Sequence, residues 1–157
     1  MKLQNIPIYS KKDFEGMRNA GSLAALVLDE LKILIKPGIS TLEINDFCHQ
    51  IIIDNNATPA PLNYKGFPKS ICTSVNHVVC HGIPSQNKIL QNGDIINIDI
   101  TVILNGWYGD SSRMFVAGNI NKKIYDLLET TYKCLSIGIE NALPGKYLGD
   151  IGYEIQK

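Results

Sequence analysis

An Asn-Gly pair at positions 105–106, set between two runs rich in apolar and β-branched residues, constrains this chain more than any other feature. Both residues tolerate positive φ, and a two-residue loop of this kind closes a hairpin whose twist matches that of its strands. With that loop, Leu104 pairs with Trp107, Thr101 with Asp110, and Asp99 with Ser112. Side chains alternate faces along a strand, so Asn97, Asp99, Thr101, Tyr108, Asp110, Ser112 and Met114 share one face, while Ile98, Ile100, Val102 and Leu104 take the other. Asp99 and Asp110 become diagonal cross-strand neighbours, with Cβ atoms roughly 6–8 Å apart. Two carboxylates that close, in so apolar a strand, repel each other and lose hydration, and require a shared proton or a cation. A hard divalent metal, or a pair of them, meets that requirement. A hairpin aspartate on a wet face is the ordinary alternative, and spacing alone leaves both readings open.

At 157 residues the chain is one domain of ordinary size or a piece of a larger one, and a hydrophobic fraction of 45% is that of a globular protein. Fifteen basic and fifteen acidic residues cancel, so nothing points to a nucleic acid or an anionic membrane as partner. Cys48, Cys72, Cys80 and Cys134 have no C-x-x-C spacing, and the opening Met-Lys-Leu-Gln-Asn-Ile-Pro lacks the apolar centre of a signal peptide. No run reaches the roughly 20 apolar residues of a membrane span. The expectation is a soluble, cytoplasmic protein with reduced, free thiols.

Ser10-x-x-Asp13 has the form of a capping box, and Met17, Ala20, Ala24, Val27, Leu31 and Leu34 recur at helical steps. This predicts an amphipathic helix from residue 11 to about 35, stopped by Pro37-Gly38. A second box, Ser40-x-x-Glu43, opens a helix with an apolar stripe of Ile44, Cys48, Ile51 and Ile52 that ends near Asn55-Asn56. From there to residue 117 the pattern is β: a Pro59/Pro61 approach, a strand around Ser70–Val75, the Cys80–Pro84 loop and the hairpin. Residues 122–142 read as a long helix, and after Pro144-Gly145 another helical period starts with Leu148, Ile151 and Ile155. Helix, Pro-Gly, helix therefore occurs twice. The second copy stops at Lys157, which predicts the N-terminal part of a pseudo-symmetric domain whose C-terminal half is absent.

Five segments now form a recognisable set: Met17–Gly21, Tyr64-Lys-Gly-Phe-Pro-Lys-Ser70, Val75-Asn-His-Val-Val-Cys-His-Gly-Ile-Pro84, Asn92–Thr101 and Gly109-Asp-Ser-Ser112. In this order, over nearly the whole chain, they resemble the type I methionine aminopeptidases. The resemblance implies an α+β "pita-bread" fold (creatinase/aminopeptidase) of two pseudo-symmetric halves. It further implies hydrolytic removal of the initiator methionine from nascent proteins, with a small second residue preferred. The family's metal centre takes two aspartates, one histidine and two glutamates. Asp99 and Asp110 match the two aspartates, Asp99 contacting one ion through both oxygens and Asp110 bridging the pair. The remaining ligands belong to the family's C-terminal half. His81 matches a histidine that contacts the scissile peptide, and Tyr64, Phe67 and Cys72 match the walls of the methionine pocket. Phe67 stands where a tyrosine is frequent, and Pro61 where many members have a cysteine. Asn76 and Val78 match positions whose backbone carbonyls hold a monovalent cation.

Carboxylate and imidazole donors do not discriminate among Mn, Fe, Co and Zn for the two divalent ions. His49 and His77 are placed by neither the hairpin nor the motifs and are not expected to ligate metal. The partners implied are the N-terminal peptides of nascent chains at the ribosome, met by a full-length monomer. With two of five ligands, the 157-residue chain alone is expected to be inactive. It is also expected to be poorly stable, with the apolar strand face at Ile98, Ile100 and Val102, or the ends of its sheet, left uncovered. The alternative from another class is a non-catalytic peptide- or protein-binding module of the same fold. A second alternative, an X-Pro aminopeptidase, ordinarily carries a large N-terminal domain.

Overall fold

The computed structural model describes residues 7–157, so most of the N-terminal stretch read above for a leader, Met1–Ile6, lies outside the described residues. They divide into two compact bodies, residues 7–119 and 120–157.

The first body opens with α1 (Lys11–Glu30), capped as expected: Asp13 Oδ2 accepts from the Ser10 N–H at 2.7 Å, and Ser10 Oγ accepts from the Asp13 N–H at 3.4 Å. The helix stops short of residue 35. Leu31–Ile33 tighten into a 3₁₀ turn ahead of Pro37, with the Leu34 N–H bonded to the Leu31 carbonyl. Helix α2 (Thr41–Asp54) carries a closer capping box, in which Glu43 Oε2 accepts from the Ser40 N–H at 2.9 Å and Ser40 Oγ accepts from the Glu43 N–H at 3.2 Å. Ser40→Ala keeps the backbone bond to Glu43 but removes the hydroxyl that accepts from the Glu43 N–H and donates to its carboxylate at 2.6 Å, and is expected to destabilise the fold by about 1 kcal/mol, read as a shift in urea midpoint at unchanged slope.

Four strands follow: β1 (Thr58–Pro59), β2 (Cys72–Val75), β3 (Asp94–Leu104) and β4 (Trp107–Ala117). All pairing is antiparallel. β4 runs along one edge of β3, while β2 and β1 lie in succession on the other, against Ile96–Asp99 and Val102–Ile103. The strand expected over Ser70–Val75 begins two residues late, because the Ser70 N–H is taken by the Asn45 side chain of α2 at 2.9 Å.

The alternation of β3 decides what the sheet buries. Ile96, Ile98, Ile100 and Val102 are wholly buried, in one cluster with Leu23, Ala24, Val27 and Leu28 of α1 and Ile44, Cys48 and Ile52 of α2. The expectation that Ile98, Ile100 and Val102 would stand uncovered is therefore corrected: the chain's own helices shield that face. Helix α1 lies so close on the hairpin that a Cβ at Gly109 would overlap the Ala20 carbonyl, and one at Gly16 the Trp107 indole.

The second body holds α3 (Lys122–Asn141) and α4 (Leu148–Gln156), packed together where Gly138 meets Ile151 and Ile155. Its Pro144-Gly145 turn repeats the backbone of Pro37-Gly38, with φ of 85° and 95° at the two glycines. Asp150 reaches back to the Tyr147 N–H at 2.9 Å, as Glu43 does to Ser40. No helix among the described residues is long and apolar enough to cross a membrane.

Candidate active site

The hairpin assembles the floor of the site. Asn105 and Gly106 both take positive φ, 51° and 82°, as a tight two-residue loop requires. Thr101 then faces Asp110, and Asp99 faces Ser112. Across the other edge of β3, Cys72 lies opposite Asp99. Directly opposed residues of an antiparallel pair project to the same side. Cys72, Asp99, Thr101, Asp110 and Ser112 thus share the face turned away from the isoleucine core.

Two loops rise around this floor. The first turns through Tyr64–Gly66, closed by bonds from the Phe67 N–H to the Tyr64 carbonyl at 2.9 Å and from the Asn63 N–H to the Phe67 carbonyl at 2.8 Å. The second returns along β2: the Thr73 N–H donates to the Gly82 carbonyl at 2.8 Å, and the Gly82 N–H to Ser74 Oγ at 3.2 Å. A side chain at Gly82 would overlap the Thr73 carbonyl, so only glycine permits this approach. The approach fixes His81, whose φ of 55° is a left-handed conformation that a residue with a Cβ adopts at some cost.

Between floor and loops lies an open cleft of about 840 Å³. The six residues matched to divalent-metal and substrate roles, Tyr64, Phe67, Cys72, His81, Asp99 and Asp110, line it together with Pro61, while Asn76 and Val78 are not among its lining residues. Lys65, Ile83, Thr101 and Tyr108 line it as well. Thr101 and Tyr108 were already on the right face by register. Lys65 and Ile83 sit inside quoted motifs but carried no signal of their own.

Burial raises the Asp99 carboxyl above its usual range, the nearby charge of Asp110 adds to the effect, and His81 opposes it. No Lys, Arg or His among the described residues forms an ion pair with either aspartate. Two diagonal, same-face carboxylates with no ion-pair partner suit a hard divalent ion, though only as part of a ligand set. Among the described residues no group of three or more His, Cys, Asp or Glu is placed to hold a metal. Burial, with the charges of Asp99, Cys80 and Asp110, pushes the Cys72 thiol up to about 11. Cys72 therefore lines the cleft as a neutral wall and not as a thiolate nucleophile.

The remaining histidines stand apart from the cleft lining. His49 Nδ1 lies 2.8 Å from Ser70 Oγ and ties α2 to the segment leading into β2. His77 is exposed on the loop after β2. On that loop the Asn76 amide nitrogen donates to Asp94 at 2.7 Å, and its amide oxygen accepts from the Ile95 N–H at 3.0 Å.

The profile of metallopeptidase family M24 matches residues 15–157. The chain belongs to this family. Within M24, it is 58% identical over 151 residues to a methionine aminopeptidase of Rickettsia prowazekii, a match covering 96% of this chain and 58% of that protein. The crystal structure of methionine aminopeptidase from R. prowazekii superposes with a TM-score of 0.94 over 96% of this chain and 60% of its own. That from Thermotoga maritima, 30% identical, gives 0.92 over 96% and 61%. A prolidase from Pyrococcus furiosus, 20% identical with a TM-score of 0.79, shares the fold. The α+β architecture is thus a portion of the M24 pita-bread fold, and the chain spans about three-fifths of the length of the R. prowazekii protein.

Proposed function

We propose that these residues form the N-terminal part of a single-domain methionine aminopeptidase that removes the initiator methionine from nascent chains in the cytoplasm. The observation that carries this reading is convergence. Six residues from five separate segments line one cleft, and its floor carries a pair of same-face aspartates with no ion-pair partner among the described residues.

Asp99 and Asp110 would hold the two divalent ions, Mn, Fe, Co or Zn, and the carbonyls of Asn76 and Val78 a monovalent one. When bound, the divalent ions supply Lewis acidity and lower the pKa of a water. The chain's own residues do the rest. His81 donates from its imidazole to the scissile peptide group, holding the substrate backbone over the aspartates. Tyr64, Phe67 and the neutral Cys72 thiol take the methionine side chain, a setting suited to sulfur–aromatic contacts. Proline at position 61 and phenylalanine at 67 keep that wall apolar.

A chimera of residues 1–157 with the remaining portion of the R. prowazekii enzyme tests the assignment. It is expected to release methionine from Met-Ala-Ser far faster than from Met-Leu-Ser. His81→Ala is expected to lower the rate about 10²-fold or more, and Asp110→Asn to abolish it. No release from Met-Ala-Ser with any of the four metals overturns the proposal. Binding of the peptide without release supports the non-catalytic module instead.

A further inference from the structure

Lys65 is an unexpected residue to find in this cleft. Its backbone lies at φ 48°, ψ 33°, in the left-handed region, where a side chain with a Cβ is disfavoured by roughly 1–2 kcal/mol. Glycine or asparagine fits that conformation more easily. Gly66 follows it, and Asn63 takes the other strained position of the same turn. Backbone strain retained at the edge of a cleft is a pointer to function.

The side chain gives the strain a use. Its ammonium sits 5.4 Å from the centre of the exposed Tyr64 ring, which parks the charge beside the cleft. Among the described residues no carboxylate forms an ion pair with it. The charged side chains lining the cleft are Lys65, Asp99 and Asp110, with His81 as the remaining titratable base. On the reading above, both aspartates are committed to metal ions. Lys65 is then the side chain left to sense charge on whatever peptide enters.

We infer that Lys65 is a specificity residue, which favours peptides carrying acidic side chains just downstream of the N-terminal methionine and small second residue. The inference rests on the proposed function and deepens it by naming a substrate preference. An exposed ammonium interacts through water, so the effect is modest and salt-dependent: about two- to fivefold for one close pair, fading as the screening length falls toward about 3 Å at 1 M salt.

The test uses the whole 157-residue chain, with amide chemical-shift titration of the cleft residues as readout. The probes are the amidated peptides Met-Ala-Glu-Glu, Met-Ala-Ala-Ala and Met-Ala-Lys-Lys. Asp99 and Asp110 bias the metal-free chain toward the basic peptide, so the quantity read is a ratio of ratios. It is the acidic-to-basic affinity ratio of the wild type divided by that of Lys65→Gln. This cancels the aspartates and isolates position 65. A quotient of about two to five, larger still against Lys65→Glu and collapsing toward one at 1 M salt, is the expected result. Glutamine and glutamate take the same backbone as lysine, and the unshifted amides of each spectrum report whether the fold is retained. A quotient of one, with the neutral peptide bound by the wild type, overturns the inference alone. Failure of the wild type to bind even the neutral peptide overturns it together with the peptide-cleft reading beneath it.

Discussion

Replacing Asp99 with asparagine is expected to raise the melting temperature of the metal-free protein while weakening its binding of divalent ions. Asp99 is half-buried opposite Cys72 and diagonal to Asp110, and burial is the main cause of its raised pKa. A carboxyl whose pKa is higher in the folded state than in the unfolded chain binds its proton more tightly when folded. Stability from this group is therefore full below the unfolded value of 3.8 and is lost as pH rises through the window between that value and the raised one. Asparagine has no proton to lose. The two melting curves should coincide near pH ~3, where both side chains are neutral, separate above pH ~4, and keep a constant gap at neutral pH. Thermal denaturation in chelator from pH 3 to 8 reads this directly, and a lower melting point for the variant at pH 7 would contradict it. Manganese titration of the same proteins reads the other half. Two carboxylates leave most positions of an ion to water, so the wild-type chain should bind with a Kd on the order of 10⁻⁴–10⁻³ M. With only Asp110 left, binding should weaken at least about tenfold. The same reasoning predicts that this chain by itself releases no methionine. Tight binding of two ions, or release of methionine, would refute it.

Gly109→Ala is expected to be, with Gly82→Ala, among the most damaging single-methyl changes in the first body. The new Cβ would overlap the carbonyl of Ala20 and crowd the nitrogen of Gly21, both part of the α1 backbone. No flexible side chain stands there to move aside, so helix and hairpin must separate, and Ala20 and Ala24 lose their burial. Overpacking of this kind costs typically 1–3 kcal/mol, and a backbone obstacle places it at or above about 3 kcal/mol. The loss is read as a fall in urea midpoint. Because Gly109 adjoins Asp110, the same variant should also displace the carboxylate and weaken manganese binding. A stability change under about 0.5 kcal/mol, the range of an ordinary surface substitution, would show that α1 can lift from β4 without consequence.

What could be read from the sequence follows the range over which each feature is determined. The hairpin register rests on two adjacent residues, Asn105 and Gly106, and every pair from Leu104–Trp107 out to Asp99–Ser112 follows from them. The capping boxes at Ser10 and Ser40 span four residues each and were equally legible. The end of α1 was not. Apolar spacing continues to Leu34, but the chain must reach Pro37, and the tighter turn at Leu31–Ile33 has no apolar signature. The succession of β2 and β1 along one edge of β3 is a contact between distant segments, and no local pattern encodes it. The covering of Ile98, Ile100 and Val102 was missed for a similar reason, since a strand's pattern says which face is apolar but not what lies on it. In the cleft, Asp99, Asp110, Thr101 and Tyr108 could be placed together by alternation alone. Gathering Tyr64, Phe67, Cys72 and His81 required motifs, because their loops meet the sheet only in three dimensions. Lys65 emerged from its backbone angles, which the sequence does not display.

The two-residue loop also sets an order in time. A hairpin closed by so short a turn forms in about 1–10 μs, and the diagonal aspartates are both carried by it. Cys72 and His81 reach the site only when β2, whose residues pair with partners more than twenty positions downstream, docks along β3, a non-local step that is intrinsically slower. Along the folding path the carboxylate pair therefore exists before the walls that surround it. On the proposed metal role of this pair, a divalent ion present from the start would meet its oxygen donors early, while the site is still open to water on every side. Ion capture would then precede cleft closure, with the walls docking around an ion already held by the hairpin instead of the ion threading into a finished pocket.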